Sequence, residues 1–453
     1  MAGNRSLQKD LTQGNVRKCI LAFAVPLMIS NLIQSAYNAV DMYFVGAYTG
    51  TASLAAVSVC GPILNVMIIT LSGMSAGVTV VIGSWAGKKD MEEIKKAGNT
   101  AFALYALLAL VTTVLGLACA DWILTAVQTP AEAFEEARQY LMVVFAGLIF
   151  MFGYNLIGAL QRGMGDSASS MYFVMVAALV NVALDYLLIA VFRMGAFGAA
   201  VATVAAEMVS FMLGLWQFRR QKHVIRFGIR NLKFDKKHLK SILYFGVPTA
   251  VNEVMVNVAM LTVSGVANSF GLAQSAAYGV GGKINGFAIF SDGAMNQTMS
   301  SFASQNISAG KQERAIKGLK ESMLISACIA LATTVAVYFF APQLAALFDK
   351  NPEVIRWTVQ YLHITILSYV LFAMVGPLIG FIRGTGNIAA SVGVGFVAQC
   401  CLRIPFSFIF GHLWGFPGVG MAVLIGPLSS VTMYSFYIFT GRWKRGLEYL
   451  RKM

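Results

Sequence analysis

Twelve runs of predominantly apolar residues, each long enough to cross a lipid bilayer, leave this chain very few folds to choose from. They cover 17–46, 53–84, 97–127, 136–161, 168–192, 196–219, 240–269, 273–304, 315–347, 356–382, 388–412 and 417–441. A spanning helix needs about 20 such residues. Backbone polar groups in hydrocarbon must be satisfied inside the protein, which a run of this length does as a helix. Of the 453 residues 57% are hydrophobic and only 12% are charged, against about 25% charged in a soluble domain. The sequence therefore predicts an all-α membrane protein with twelve transmembrane helices. The longest runs leave room for tilt or for extension beyond the bilayer.

The basic residues orient the helices. Of 34 Lys and Arg, 28 fall in the segments on the side of both termini, 4 fall in the opposite loops, and Lys283 and Arg403 lie within runs. That asymmetry predicts both termini in the cytoplasm of a multi-pass plasma-membrane protein. The net charge of +14 is scattered over short loops. It therefore suits contact with anionic membrane lipids rather than a nucleic-acid groove, and no nucleic-acid partner is expected. None of the six cysteines shows CxxC spacing, so neither a disulfide framework nor a cysteine metal site is expected. The polar first fifteen residues lack a small-residue cleavage site, so no cleaved signal peptide is expected. There is no HExxH, GxSxG or GxxxxGK[ST] pattern. The chain is thus read as a non-enzyme that draws on neither ATP nor an organic cofactor directly.

The chain also repeats itself. "WAGKKDMEEIKKA" (85–97) is echoed by "SAGKQERAIKG" (308–318), and "LQRGMGD" (160–166) by "FIRGTGN" (381–387). "FAVP" ending at Pro26 returns as "FGVP" ending at Pro248, and "GAFGAAVA" (195–202) as "WGFPGVGMA" (414–422). The offset stays between 220 and 223 residues. Six spans per half bring both halves in from the same side, so the repeats are parallel. The expected organisation is an N lobe over 1–220 and a basic cytoplasmic linker over 221–239. A C lobe follows over 240–441, then a basic tail over 442–453.

Two acids sit deep in apolar runs. Asp185 lies in "SMYFVMVAALVNVALDYLLIAVF", with Asn181 one helical turn earlier on the same face. Asp41 lies in "AVPLMISNLIQSAYNAVDMYFVGAY". A carboxylate at hydrocarbon depth costs several kcal/mol unless it pairs, meets water or binds an ion. The two acids read as a cation or proton site. The competing interpretation is a structural hydrogen-bond cluster between helices.

The segments "VPLMISNLIQSAYNAVDMYFVG" (25–46), "AGKKD" (86–90), "ALQRGMGD" (159–166), "NVALDYLLI" (181–189), "GAFGAAVAT" (195–203) and "GFIRGTGN" (380–387) together resemble the multidrug and toxin extrusion (MATE) family. The resemblance covers essentially the whole chain. It implies two six-helix lobes that export organic cations or other amphipathic small molecules as a monomer, driven by inward Na⁺ or H⁺. It places Asp41, Asn181, Asp185 and Thr203 in an N-lobe coupling site, as Na⁺ ligands if sodium is the ion, with Tyr37 and Asn155 as polar neighbours. The tenth run has no internal acid, and Asp185 falls on Pro405 or Phe406 in the second repeat. This matches the branch that keeps its acids in the N lobe.

Pro26 interrupts the first run and removes one helix hydrogen bond, so it is read as a kink that can hinge. Glu253, Lys283, Asp292 and Arg403 are charges inside C-lobe runs. They are read as substrate contacts or internal ion pairs, with Lys283 against Glu253 or Asp292. Arg162 and Arg383, in their matched RGxG segments, are assigned to cytoplasmic turns. Glu207 is assigned to the cytoplasmic end of the sixth run, within reach of water. The expected function is antiport by alternating access. The rivals are an exporter of lipid-linked sugars, which would need a strongly cationic cavity, and a membrane receptor or enzyme.

Overall fold

The structure, a computed structural model, describes residues 10–220, 225 and 233–452. Most of the expected linker and the first nine residues, including Arg5 and Lys9, therefore lie outside the described residues. The helices are α1 (Val16–Tyr48), α2 (Thr51–Lys88), α3 (Met91–Ala126), α4 (Ala131–Gly163), α5 (Ser167–Asp185), α6 (Gly195–Arg220), α7 (Lys236–Asn268) and α8 (Leu272–Ala288). They continue as α9 (Phe290–Ser308), α10 (Gln312–Ala346), α11 (Pro352–Thr365), α12 (Leu367–Gly384), α13 (Ile388–Phe396), α14 (Ile404–Trp414), α15 (Phe416–Phe439) and α16 (Arg445–Lys452).

The protein is an all-α membrane protein built as two parallel repeats. Eleven of the described helical segments are long and apolar enough to cross a membrane. The expected eighth run is the exception, because it divides at Ile289 into α8 and α9. α9 is too polar to qualify alone, carrying Asp292, Asn296, Gln297, Gln305 and Asn306. The tenth run also divides, into α11 and α12 at Ile366. Large apolar side chains such as Leu110, Leu115 and Trp122 point outward at 62%, 58% and 73% exposure, a surface suited to lipid.

The chain forms two compact units, one of Met1–Asp10 with Ile29–Gly246 and one of Leu11–Met28 with Val247–Met453. The chain changes unit within two residues of Pro26 in α1 and of Pro248 in α7. In the first unit α4 is central and packs on α2, α3, α5 and α6. In the second, α12 takes the matching place against α9, α10 and α15. Small residues let α4 and α6 approach closely. A Cβ on Gly153 would strike the Phe211 ring, and one on Gly214 would strike Ile157.

The repeated motifs are helix boundaries. After α2, Lys89 turns left-handed (φ 58°) and Asp90 caps α3, accepting from the Glu92 and Glu93 N–H groups at 3.2 and 3.1 Å. In the RGxG segments Gly165 (φ 87°) and Gly386 (φ 92°) make the left-handed turn. Asp166 then accepts from the Ser169 N–H and Asn387 from the Ala390 N–H. An L side chain at such a φ costs about 1–2 kcal/mol. Gly165→Ala is therefore expected to lower the thermal midpoint of the purified protein by a few degrees, while Gly61→Ala, in open space within α2, changes it far less. An unshifted Gly165 variant would contradict this role.

Asp235 caps α7, accepting from the Lys237 and His238 N–H groups at 2.9 and 3.1 Å. The His238 N–H holds the Asp235 carboxyl below its usual range. A depressed acid stabilises above its unfolded pKa, and this cap's contribution is lost only as the medium turns strongly acidic. In the expected basic tail, Trp443 is buried and meets the Phe381 ring edge-on at 5.4 Å before α16 begins.

Candidate ion and substrate site

The acids of the first unit stand on helices held together by this packing. α5 ends on Asp185, and the next turn, Tyr186–Val191, widens into a π-helix. Such widened turns recur at functional positions. Asp185 is 0% and Asn181 1% exposed, one turn apart on the same face. Asp41 is half-buried on α1, one turn beyond Tyr37. The Asp41 and Asp185 carboxyls lie within range of each other's charge, and the buried Tyr140 lies within range of both.

Most of the polar atoms of the two acids and of Asn181 lack a hydrogen-bond partner among the described residues. Both oxygens of Asp185, both polar atoms of Asn181 and Oδ1 of Asp41 are buried without one. An unpaired carboxylate out of water costs several kcal/mol. A shared proton or a hard cation with oxygen ligands relieves that cost, and two carboxylates with an amide form a donor set that suits either.

Beside them lies a small, partly open cavity within the first unit. Its polar lining is Gln34, Tyr37, Tyr154, Asn181, Thr203, Glu207 and Ser210, and its apolar wall is Val174, Ala177 and Ala206. It leaves about 20 Å³ for water-sized centres, roughly enough for one or two waters or a small charged group. Tyr37, Asn181 and Thr203 thus share one cavity, which neither Asp41 nor Asp185 lines. Asn155 does not line it, and its amide donates to the Met151 carbonyl at 2.9 Å. Its neighbour Tyr154 takes that place.

The sequence reading put Glu207 at the end of the sixth helix, which the structure corrects. α6 continues to Arg220, so Glu207 stands in the middle of the helix and faces the cavity. It is a third N-lobe acid, within range of the Tyr37 and Tyr154 phenols. Tyr140 and Tyr154 were also missed. Their signal in the sequence was faint, since one tyrosine in an apolar run reads equally well as core.

In the second unit the expected pairing of Lys283 with Glu253 or Asp292 is not found. Glu253 pairs with Arg383 at 3.3 Å. Arg383 is not in a turn but in the last turn of α12, where it is 4% exposed. Arg162, its repeat counterpart, likewise ends α4 and reaches the Ser170 hydroxyl at 3.4 Å. Asp292 lies within range of both Glu253 and Arg383, and its Oδ1 is buried without a partner. Gly376 permits this arrangement, since a Cβ there would strike the Asp292 carbonyl and carboxylate. Lys283 lies on α8, across the Ile289 break from Asp292, with its Nζ 5.7 Å from the Phe348 ring centroid. Arg403 is 3% exposed and donates to Gln399 Oε1 at 3.1 Å.

Comparison with known proteins agrees with the repeat and the helix plan. The MatE family pattern matches residues 26–187 and again 248–409, each match beginning at one of the paired prolines. The probable multidrug resistance protein YpnP of Bacillus subtilis (strain 168) is 27% identical over 436 residues, covering 96% of this chain and 97% of that protein. The multidrug export protein MepA of Staphylococcus haemolyticus (strain JCSC1435) is 22% identical over 433 residues, covering 95% of each. The fold matches an outward-facing structure of a multidrug resistance MATE family transporter of the MOP superfamily, with a TM-score of 0.90 over the whole of both chains at 23% identity. With both halves matched by one family pattern, this chain belongs to the MatE family of membrane transporters.

Proposed function

We propose that the protein is a secondary-active exporter that exchanges Na⁺ or H⁺ for cationic or amphipathic small molecules, with both termini in the cytoplasm of the plasma membrane. The observation that carries this reading is the set of buried, unpartnered oxygens on Asp41, Asp185 and Asn181. A site of that kind is stable when it holds a proton or a cation and costly when it does not, so it can drive a cycle.

Binding of the ion at Asp41 and Asp185, with Asn181 and Thr203 beside them, neutralises the carboxyls. The first helix can then take up a different packing, for which the missing hydrogen bond at Pro26 lowers the cost. A ligand shifts such an equilibrium only by its difference in affinity between two states. Ion and substrate therefore drive opposite steps if each favours a different state. The names of the relatives, multidrug resistance and multidrug export, support the substrate class. A lipid-linked pyrophosphate is a poorer fit, because Glu253 already neutralises Arg383, leaving Lys283 and Arg403 as the unpaired C-lobe cations considered from the sequence.

The test is uptake of ethidium into inverted vesicles under an imposed Na⁺ or H⁺ gradient. One gradient is expected to drive accumulation and the other is not. Uptake that ignores both gradients would remove antiport as the function.

A further inference from the structure

Glu207 is a half-buried acid that the exchange scheme above does not use. It stands in the middle of α6 and faces a cavity that no Lys, Arg or His lines. Among the described residues it forms no ion pair, although the salt bridges elsewhere in the chain engage acids on α3, α7 and α10. A carboxylate held in a cavity without a counter-cation attracts one from outside.

The lining defines which cation. Two tyrosines, Tyr37 and Tyr154, share the cavity with Glu207, and Val174, Ala177 and Ala206 supply an apolar wall. Aromatic faces favour a weakly hydrated organic cation by about 0.5–2 kcal/mol. A metal ion would instead favour the paired carboxylates of Asp41 and Asp185. The cavity is small and partly open, so it admits the charged end of a substrate while the rest of the molecule lies outside it.

We infer that Glu207 is the specificity-determining residue of this transporter, holding the ammonium end of a cationic substrate between Tyr37 and Tyr154, apart from the acids that carry the coupling ion. The inference rests on the transport reading above and adds the substrate-selecting group. Its chemistry calls for substrates that carry a weakly hydrated organic cation, such as a quaternary nitrogen. A neutral molecule of the same shape would gain nothing from the carboxylate.

Equilibrium binding of ethidium to the full-length protein in detergent tests this, read by fluorescence and by displacement with benzyltrimethylammonium or with its uncharged carbon isostere neopentylbenzene. Benzyltrimethylammonium is expected to displace ethidium and neopentylbenzene is not. Glu207→Gln is expected to raise the Kd for both cations at least tenfold, about 1.4 kcal/mol, while Glu207→Asp, which keeps the charge, stays within about threefold. Thermal melting of each variant separates lost binding from lost folding. Wild-type affinity for ethidium in a folded Glu207→Gln protein would overturn the assignment, as would equal displacement by the neutral isostere. The two readings fail separately. Gradient-independent uptake by the wild type, with binding still dependent on Glu207, would sink antiport and leave the selecting role of Glu207 standing.

Discussion

Replacing Asp185 with asparagine is expected to reduce gradient-driven accumulation of ethidium to passive equilibration. The substitution keeps the size and polarity of a side chain that is 0% exposed but removes its charge. Neither a proton nor Na⁺ is then needed to neutralise the position, so the ion no longer distinguishes one state of the protein from the other. A tenfold ion gradient is worth about 1.4 kcal/mol per ion, which supports about tenfold accumulation in one-for-one electroneutral exchange. The variant should show a ratio near one. Because Asp185 and Asp41 lie within range of each other's charge, Asp41→Asn should damage coupling in the same direction. The measurement is the steady-state dye ratio in vesicles containing equal amounts of each protein. A tenfold ratio in Asp185→Asn would show that the acid is only structural.

The largest effect on stability is expected at Arg383. Its guanidinium is 4% exposed at the side chain and pairs with Glu253, itself 34% exposed, at 3.3 Å. Asp292 adds a second negative group within range. Arg383→Met leaves both acids facing an apolar side chain. Breaking a buried pair from one side costs about 3–5 kcal/mol, and the partial exposure of Glu253 brings the expected loss to roughly 2–4 kcal/mol. The double variant Arg383→Met with Glu253→Gln should regain a large part of this, since the stranded charge rather than the lost contact dominates. Thermal midpoints of the four proteins of this cycle give the answer. An Arg383→Met protein as stable as wild type would mean that the second unit tolerates the charge through solvent.

The helical plan was legible because hydrocarbon imposes a length and a polarity on each span, and both survive in a single sequence. The repeat was legible for a local reason. Its strongest echoes are turn and cap devices, Gly165 with Asp166 and Gly386 with Asn387, whose backbone geometry tolerates few residues. Asp41 and Asp185 stood out because an acid in an apolar run is costly wherever it faces. What the sequence hid depends on direction and on breaks. The division at Ile289 carries no proline, and Gly286 and Gly293 on either side of it are ordinary in a membrane span, so Lys283 and Asp292 read as members of one helix when they stand on two. Arg383 looked like a loop residue because the motif around it is a turn, yet the helix ends one residue later and aims it inward. Glu207 was misplaced by its distance to the basic pair at the end of α6. Arg220 lies thirteen residues beyond it, about 20 Å along a helix.

Antiport requires that substrate and ion weaken each other's binding, because each favours a different state of the protein. The most direct measurement is ion release from purified protein on adding ethidium, followed as retained ²²Na⁺ in one experiment and as acidification of unbuffered medium in another. Wild type should release about one ion of a single kind per bound dye, matching the gradient that drives uptake, and Asp185→Asn should release none. Dye binding without release of either ion, or equal release from the Asp185→Asn protein, would contradict exchange at the N-lobe acids.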